Sequence, residues 1–439
     1  MNTKFMRESI NKIIAIIFVG ISFIGIWQLL RYMIVDDTKS YTRLTLHEYY
    51  NQENIDVLFI GASLCYRSLD TQILDESLGM NTFNLGTSSQ DMDASYYLIK
   101  DAIKRYNVRH IYLELSPVIA LHTNNSDREL TDMTGTYIVS DYMKPSISKA
   151  QYLLEASKPD YYINSFLLAR RNWEKLFDFE YVGSLLETKS STTYKNFEYG
   201  YSQNETEYYA GKGYVANTSR ILDNSFYDPY GFKSFRIEGI SKDWYKYLNK
   251  ILKLCDKSKV EITLFCAPLS VHMLASYGDE YDKYHDLIEQ MAEDKGKKFW
   301  DFNLCKETYF PIESNLYKDS THLNMYGAEY FSKLMSDIIR GKVIYENICY
   351  NSVSEKLNNI KPMVCGITYN SEYKKIIATH KDLFEYRIYV IPNEGNAYLI
   401  QDFDFNNEFR INFKEHGTIS ITARFIKVPS DIQKLEFKY

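Results

Sequence analysis

The chain lacks the patterns that mark several function classes. Its six cysteines (Cys65, Cys255, Cys266, Cys305, Cys349 and Cys365) form no CxxC pair and follow no disulfide-framework spacing. They read as small, buried, apolar residues. No basic stripe stands out from the 51 Lys and Arg set against 57 Asp and Glu, a formal charge of −6, so nothing suggests a nucleic-acid partner. No ligand-dense motif supports a metal. A zinc site built from His272, Asp319 and His322 is conceivable, but it has no CxxC or HxxxH backing. Neither a metal nor another cofactor is expected. Long apolar runs are also scarce: there is one.

That run, residues 13–30, carries no charge and a single amide, Gln28. As a helix it reaches roughly 27 Å, close to the hydrocarbon thickness of a bilayer. Lys4, Arg7 and Lys12 precede it, which favours a cytoplasmic N-terminus. A cleaved signal peptide would end in small residues, whereas this run exits through Arg31-Tyr32-Met33-Ile34-Val35-Asp36. We therefore expect residues 1–35 to be a cytoplasmic tip and an uncleaved, single-pass anchor, with the remainder extracytoplasmic.

From residue 56 to 339 strand and helix patterns alternate, within a domain expected over 36–345. Apolar runs at 57–60, 82–85, 110–115, 260–267 and 298–302 read as buried strands. Between them, Ala94, Leu98, Ala102 and Tyr106 share one helical face, as do Trp244, Tyr247, Leu248 and Ile251. Asn324 can cap a last helix that turns Ala328, Phe331, Leu334 and Ile338 inward. This rhythm predicts an α/β domain with a parallel sheet covered on both faces. It breaks at about 118–240, an aromatic and polar stretch that is helix-like around 150–176 and loop-like over 190–230. We read it as an insertion capping the cleft. After Gly341 the texture becomes alternating: Phe409, Ile411 and Phe413, then Ile419, Ile421, Ala423 and Phe425, with turns at 393–396 and 415–417. A small β-sandwich module is expected over 350–439.

The candidate chemistry lies at strand ends. Ser63 follows the first strand at a strand-to-helix turn, and Gly86 follows the second. Asp319 and His322 follow the last. In an open α/β sheet these positions converge on the carboxyl edge, where ligands bind. A serine, a histidine and an acid supply the nucleophile, base and orienting group for acyl transfer. The Ser63 and Gly86 N–H groups can form an oxyanion hole. Arg67 and His272 are candidates for substrate contact.

The set Gly61-Ala62-Ser63, Asn84-Leu85-Gly86 and Asp319-x-x-His322 resembles the SGNH (GDSL-type) hydrolase superfamily. The anchor, Trp300-Asp301-Phe302 and the run Asp319-Ser320-Thr321-His322-Leu323-Asn324 before Gly327-Ala328 resemble the DltD-like and alginate-acetylation-type envelope proteins. The resemblance spans about residues 56–339. It implies a flavodoxin-like three-layer fold and metal-free O-acyl ester chemistry on cell-surface glycan, with a multi-span membrane acyltransferase as a possible partner. One departure stands out: the superfamily's Gly-x-Asn-Asp block after the third strand is replaced by Leu113-Glu114-Leu115-Ser116-Pro117. The alternative is a non-catalytic envelope protein that binds glycan or a partner on the same scaffold.

Overall fold

The computed structural model describes residues 3–121, 133–198, 202–221, 235–369, 374–411 and 416–438. The apolar runs form a five-stranded sheet from β1 (Val57–Ile60), β2 (Thr82–Asn84), β3 (His110–Glu114), β7 (Glu261–Cys266) and β8 (Lys298–Asp301). Its order is β2-β1-β3-β7-β8 and every pairing is parallel. Strands buried on both faces lose the polar alternation of a half-exposed strand, so each reads as a short continuous apolar run. All four residues of β1 are buried.

The order of strands dictates the layers. Right-handed crossovers that leave β1 in one direction and β2 in the other put their helices on opposite faces. Helix Thr71–Leu78 then shares a face with Met325–Ile339, and Met92–Arg105 shares the other with Lys242–Ser258; both pairs are in contact. The expected flavodoxin-like three-layer arrangement is what the topology gives. The direction of chain winding reverses between β1 and β3, which opens the crevice where ligands bind in such sheets.

Asn324 caps the helix Met325–Ile339 as anticipated, its Oδ1 accepting from the N–H groups of Tyr326 (3.0 Å) and Gly327 (3.1 Å). The α/β core also takes in Val353, at the start of helix Val353–Asn359, and the antiparallel sheets begin beyond it at β9. One of these sheets contains β9 (Val364–Tyr369), β10 (Lys374–Ala378) and β13 (Glu408–Phe409). The other contains β11 (Phe384–Pro392), β12 (Tyr398–Asp404), β14 (Gly417–Phe425) and β15 (Ile432–Lys438). They share one core that includes Ile376, Tyr386, Ile388, Ile419, Ile421 and Leu435. Phe413 and the first residue of the 415–417 turn lie outside the described residues.

The insertion departs from its reading. Where a loop was expected over 190–230, the chain forms an antiparallel sheet of β4 (Ser202–Asn204), β5 (Glu207–Gly211) and β6 (Tyr214–Asn217). These strands are short and tyrosine-rich, and their turn needs Gly213 with φ +83°. A Cβ there would lie 1.6 Å from the Asn84 carbonyl oxygen, so only glycine lets this turn press on the end of β2. Residues 122–132, 199–201 and 222–234 of this stretch lie outside the described residues.

Candidate active site

Ser63 opens the short helix Ser63–Ser68 directly beyond β1. As the first helical residue its N–H has no partner within the helix. Gly61 lets the turn sit tightly on β3, since a Cβ there would come within 2.6 Å of Glu114 Cβ. The second strand end is bound to the same turn. Thr87 donates its N–H to the Gly61 carbonyl (3.3 Å), and Asn84 Nδ2 donates to the Cys65 carbonyl (2.9 Å). Gly86 lies beside the nucleophile turn as expected. Its N–H, however, is directed to Asn84 Oδ1 at 3.1 Å.

The base and its orienting acid come from a tight loop closed by an antiparallel bridge between Tyr317 and Leu323. Asp319 Oδ1 accepts from the N–H groups of Thr321 (2.9 Å) and His322 (2.8 Å). The Ser320 carbonyl accepts from Ser270 Oγ (2.6 Å), which ties the loop to the end of β7. Held this way, His322 Nε2 lies 2.7 Å from Ser63 Oγ, and His322 Nδ1 lies 2.9 Å from Asp319 Oδ2. An ionised carboxylate only accepts hydrogen bonds. Nδ1 therefore carries the proton, which leaves the Nε2 lone pair facing the serine hydroxyl. Burial would raise the Asp319 carboxyl, but the hydrogen bond and charge of His322 and the two N–H groups outweigh it. The acid is held well below the usual carboxylate range and remains ionised at any physiological pH.

Two further expectations need correction. Arg67 does not offer its charge to a ligand. It is buried, and its Nη1 pairs with Glu207 Oε1 at 2.9 Å. Glu207, on β5, also accepts from Lys318 Nζ at 2.6 Å, and Lys318 Nζ lies 3.9 Å from Asp319 Oδ2. Burial would raise the Glu207 carboxyl, but these two cations bring it below its ordinary value. An ionic chain therefore runs from the nucleophile helix, through the inserted sheet, to the acid of the relay. Sequence reasoning missed Glu207 and Lys318, whose pairing spans 111 residues.

His272 does not line the cleft either. It is buried under the C-terminal module, where its Nδ1–H donates to the Cys365 carbonyl. Burial pushes its pKa down to about 4, with the carbonyl opposing. Among the described residues, the only grouping close enough to share one ion is His285, Asp286 and Glu289, so His272 does not join Asp319 and His322 in a metal site.

Glu114 ends β3 beside the nucleophile turn. It is buried under Gly61, and neither carboxyl oxygen makes a well-formed hydrogen bond among the described residues. Burial pushes its pKa up to about 8, with the Ala62 N–H offsetting only part. Glu114 is thus a neutral acid beneath the nucleophile turn at pH 7.

No family model and no curated protein matches the chain. Among solved structures, a GDSL-like lipase from Bacteroides thetaiotaomicron is similar at 9% identity, over 70% of this chain and 100% of that one, with a TM-score of 0.33. A putative platelet activating factor from Streptococcus pneumonia is similar at 11% identity, over 73% and 98%, with a TM-score of 0.32. A putative acylhydrolase from Bacteroides fragilis follows at 9% identity, over 69% and 99%, with a TM-score of 0.30. Likeness at this level carries no function across to this chain.

Proposed function

We propose that this protein is a membrane-anchored serine O-acyl esterase or O-acyltransferase of the SGNH type, acting on extracytoplasmic polysaccharide through an acyl-enzyme on Ser63. The observation that carries this reading is the relay itself: hydroxyl to imidazole at 2.7 Å and imidazole to carboxylate at 2.9 Å. Catalytic hydrogen bonds are often looser than this in ligand-free enzymes.

The chemistry follows from the proton positions. Ser63 Oγ attacks the ester carbonyl carbon while its proton moves to His322 Nε2. The imidazolium is stabilised by Asp319, and it then protonates the departing sugar oxygen. The carbonyl oxygen of the tetrahedral intermediate needs N–H donors. Ser63 N–H, the first of its helix, is the donor we assign to it, and Gly86 N–H joins it only by leaving Asn84 Oδ1. Water entering the acyl-enzyme gives hydrolysis; a second sugar hydroxyl gives transfer. The anchor, if it spans a membrane with the basic tip in the cytoplasm, confines this chemistry to the envelope.

Steady-state kinetics on p-nitrophenyl acetate and on O-acetylated polysaccharide test the proposal. Turnover should fall by about 10⁴-fold or more in Ser63→Ala and in His322→Ala. Equal turnover by wild type and Ser63→Ala would refute a serine mechanism.

A further inference from the structure

The anchor helix, Thr3–Ile34, is not a loose tether. Within Ser9–Ile34 the most apolar window of 18 residues has a mean hydropathy of 2.5 and is unburied. Its last two turns enter a socket made by the insertion. Ile34 and Val35 are buried with Ala169 and Val182, and Trp27 and Leu30 pack on the same cluster. The carbonyls left unpaired at the helix end are met by side chains from the insertion. Tyr181 Oη donates to the Ile34 carbonyl (3.2 Å), and the buried Lys189 Nζ donates to the carbonyls of Tyr32 (3.1 Å) and Val35. Lys189 also pairs with Asp37 Oδ1 at 3.1 Å.

This socket fixes where the insertion sits along the helix. From Trp27 to Ile34 is seven residues, about 10 Å of helix rise. That is comparable to the headgroup zone on one side of a bilayer, roughly 5–8 Å. The 3₁₀ segment Leu168–Phe177 and the helix Phe179–Ser190, both packed on the anchor, therefore lie at that level. At the same place the insertion exposes large apolar side chains: Trp173 (59%), Phe177 (77%) and Phe179 (82%). The Arg170 guanidinium sits 5.0 Å from the Trp173 ring centre. Aromatic rings beside long cationic side chains are the composition of membrane–water interfaces. An aqueous surface gains nothing from such a patch.

We infer that this face of the insertion is a lipid-binding surface: Trp173, Phe177 and Phe179 enter the headgroup region around the anchor helix and seat the catalytic domain on the bilayer at a fixed orientation. The occupant is lipid because the two segments that carry the patch pack directly on the anchor helix, whose apolar stretch is itself exposed. This rests on the anchor spanning a membrane. It does not depend on the esterase reading. It gives part of the insertion a role other than covering the cleft.

The chain has four tryptophans, which allows a direct test. Trp244 and Trp300 are buried in the α/β domain. In the full-length Trp27→Phe variant, only Trp173 is then positioned to meet lipid. The variant is reconstituted into phosphatidylcholine vesicles with acyl chains brominated at carbons 6 and 7, or at 11 and 12, and into unbrominated vesicles. Bromine at 6 and 7 should quench emission more than bromine at 11 and 12. The quenchable component should vanish in Trp27→Phe/Trp173→Phe. Flotation with the vesicles in alkaline carbonate reports the span separately. If the protein floats but neither brominated lipid quenches it, the anchor stands and the lipid-binding face is refuted, which leaves the patch to a protein partner. If the protein does not float, both the span and the lipid-binding face fall, while ester turnover remains a separate question.

Discussion

Glu207 holds Lys318, the residue before Asp319, at 2.6 Å, and on its other side holds Arg67, four residues after Ser63, at 2.9 Å. One buried carboxylate on the inserted sheet thus joins the helix bearing the nucleophile to the loop bearing the base. Removing it strands the Arg67 charge, and breaking a buried pair from one side costs about 3–5 kcal/mol. Glu207→Ala should therefore lower Tm measurably. It should also slow ester turnover by loosening the Asp319–His322 loop. Glu207→Gln, which keeps the shape and the Asn217 contact (3.0 Å), should be milder on both counts. Thermal melts and kcat/KM for the two variants check this.

The neutral acid beneath the nucleophile turn predicts a pH dependence. Glu114 has a folded pKa of about 8, against an ordinary glutamate value near 4.5. Below 4.5 both states hold the proton, and its contribution to stability is fully present. As pH rises from 4.5 to 8 the unfolded chain ionises while the folded one does not, so stability is lost across that window and levels off above it. Glu114→Gln should flatten this slope in urea unfolding measured from pH 5 to 8. An unchanged slope would show that Glu114 is already ionised in the fold.

Asp319 should matter chiefly through the tautomer it imposes. Asp319→Asn can no longer accept the Nδ1 proton as a carboxylate does. It should cut kcat by orders of magnitude, up to about 10⁴-fold. KM and Tm should change little, and Ser63→Ala in the same background should add far less than it costs alone, because the relay acts as a unit.

The C-terminal sheets sit on the α/β domain through Cys365, Met363 and Ile360, which pack on Val271 and Ala275, and through the His272–Cys365 hydrogen bond. A truncation at residue 350 also removes Val353 from the main core, and removes Lys356, whose buried Nζ donates to the Asn303 carbonyl at 2.7 Å. That protein should aggregate. Ending the chain after Ile360 keeps both residues. This version should retain p-nitrophenyl acetate turnover while losing activity on polymer, if the module's work is to hold glycan. Loss of both activities in the version ending after Ile360 would assign the module to stability alone.

The parallel sheet and the relay were legible in the sequence for simple physical reasons. Strands such as Val57–Ile60, buried on both sides, are uninterrupted apolar runs. Asp319 and His322 are three residues apart, so a single loop sets their geometry. What stayed hidden was non-local. The β4–β6 sheet lacks clear alternation and depends on Gly213 meeting Asn84, which no local pattern encodes. Arg67 and His272 looked available because their partners, Glu207 and Cys365, are far away in sequence. His272 is 93 residues from the carbonyl it binds. The socket around Ile34 and Val35 was equally invisible, since hydropathy describes the anchor and says nothing of what grips its end.

The most direct test of the account is covalent labelling of the full-length protein with a fluorophosphonate, followed by peptide mass mapping. An activated serine hydroxyl attacks phosphorus and retains the adduct; an ordinary one does not. The account predicts a single adduct on the peptide that contains Ser63, greatly slowed in His322→Ala and absent in Ser63→Ala. A folded wild-type protein that takes up no label, or takes it up equally with Ser63 replaced, would contradict it.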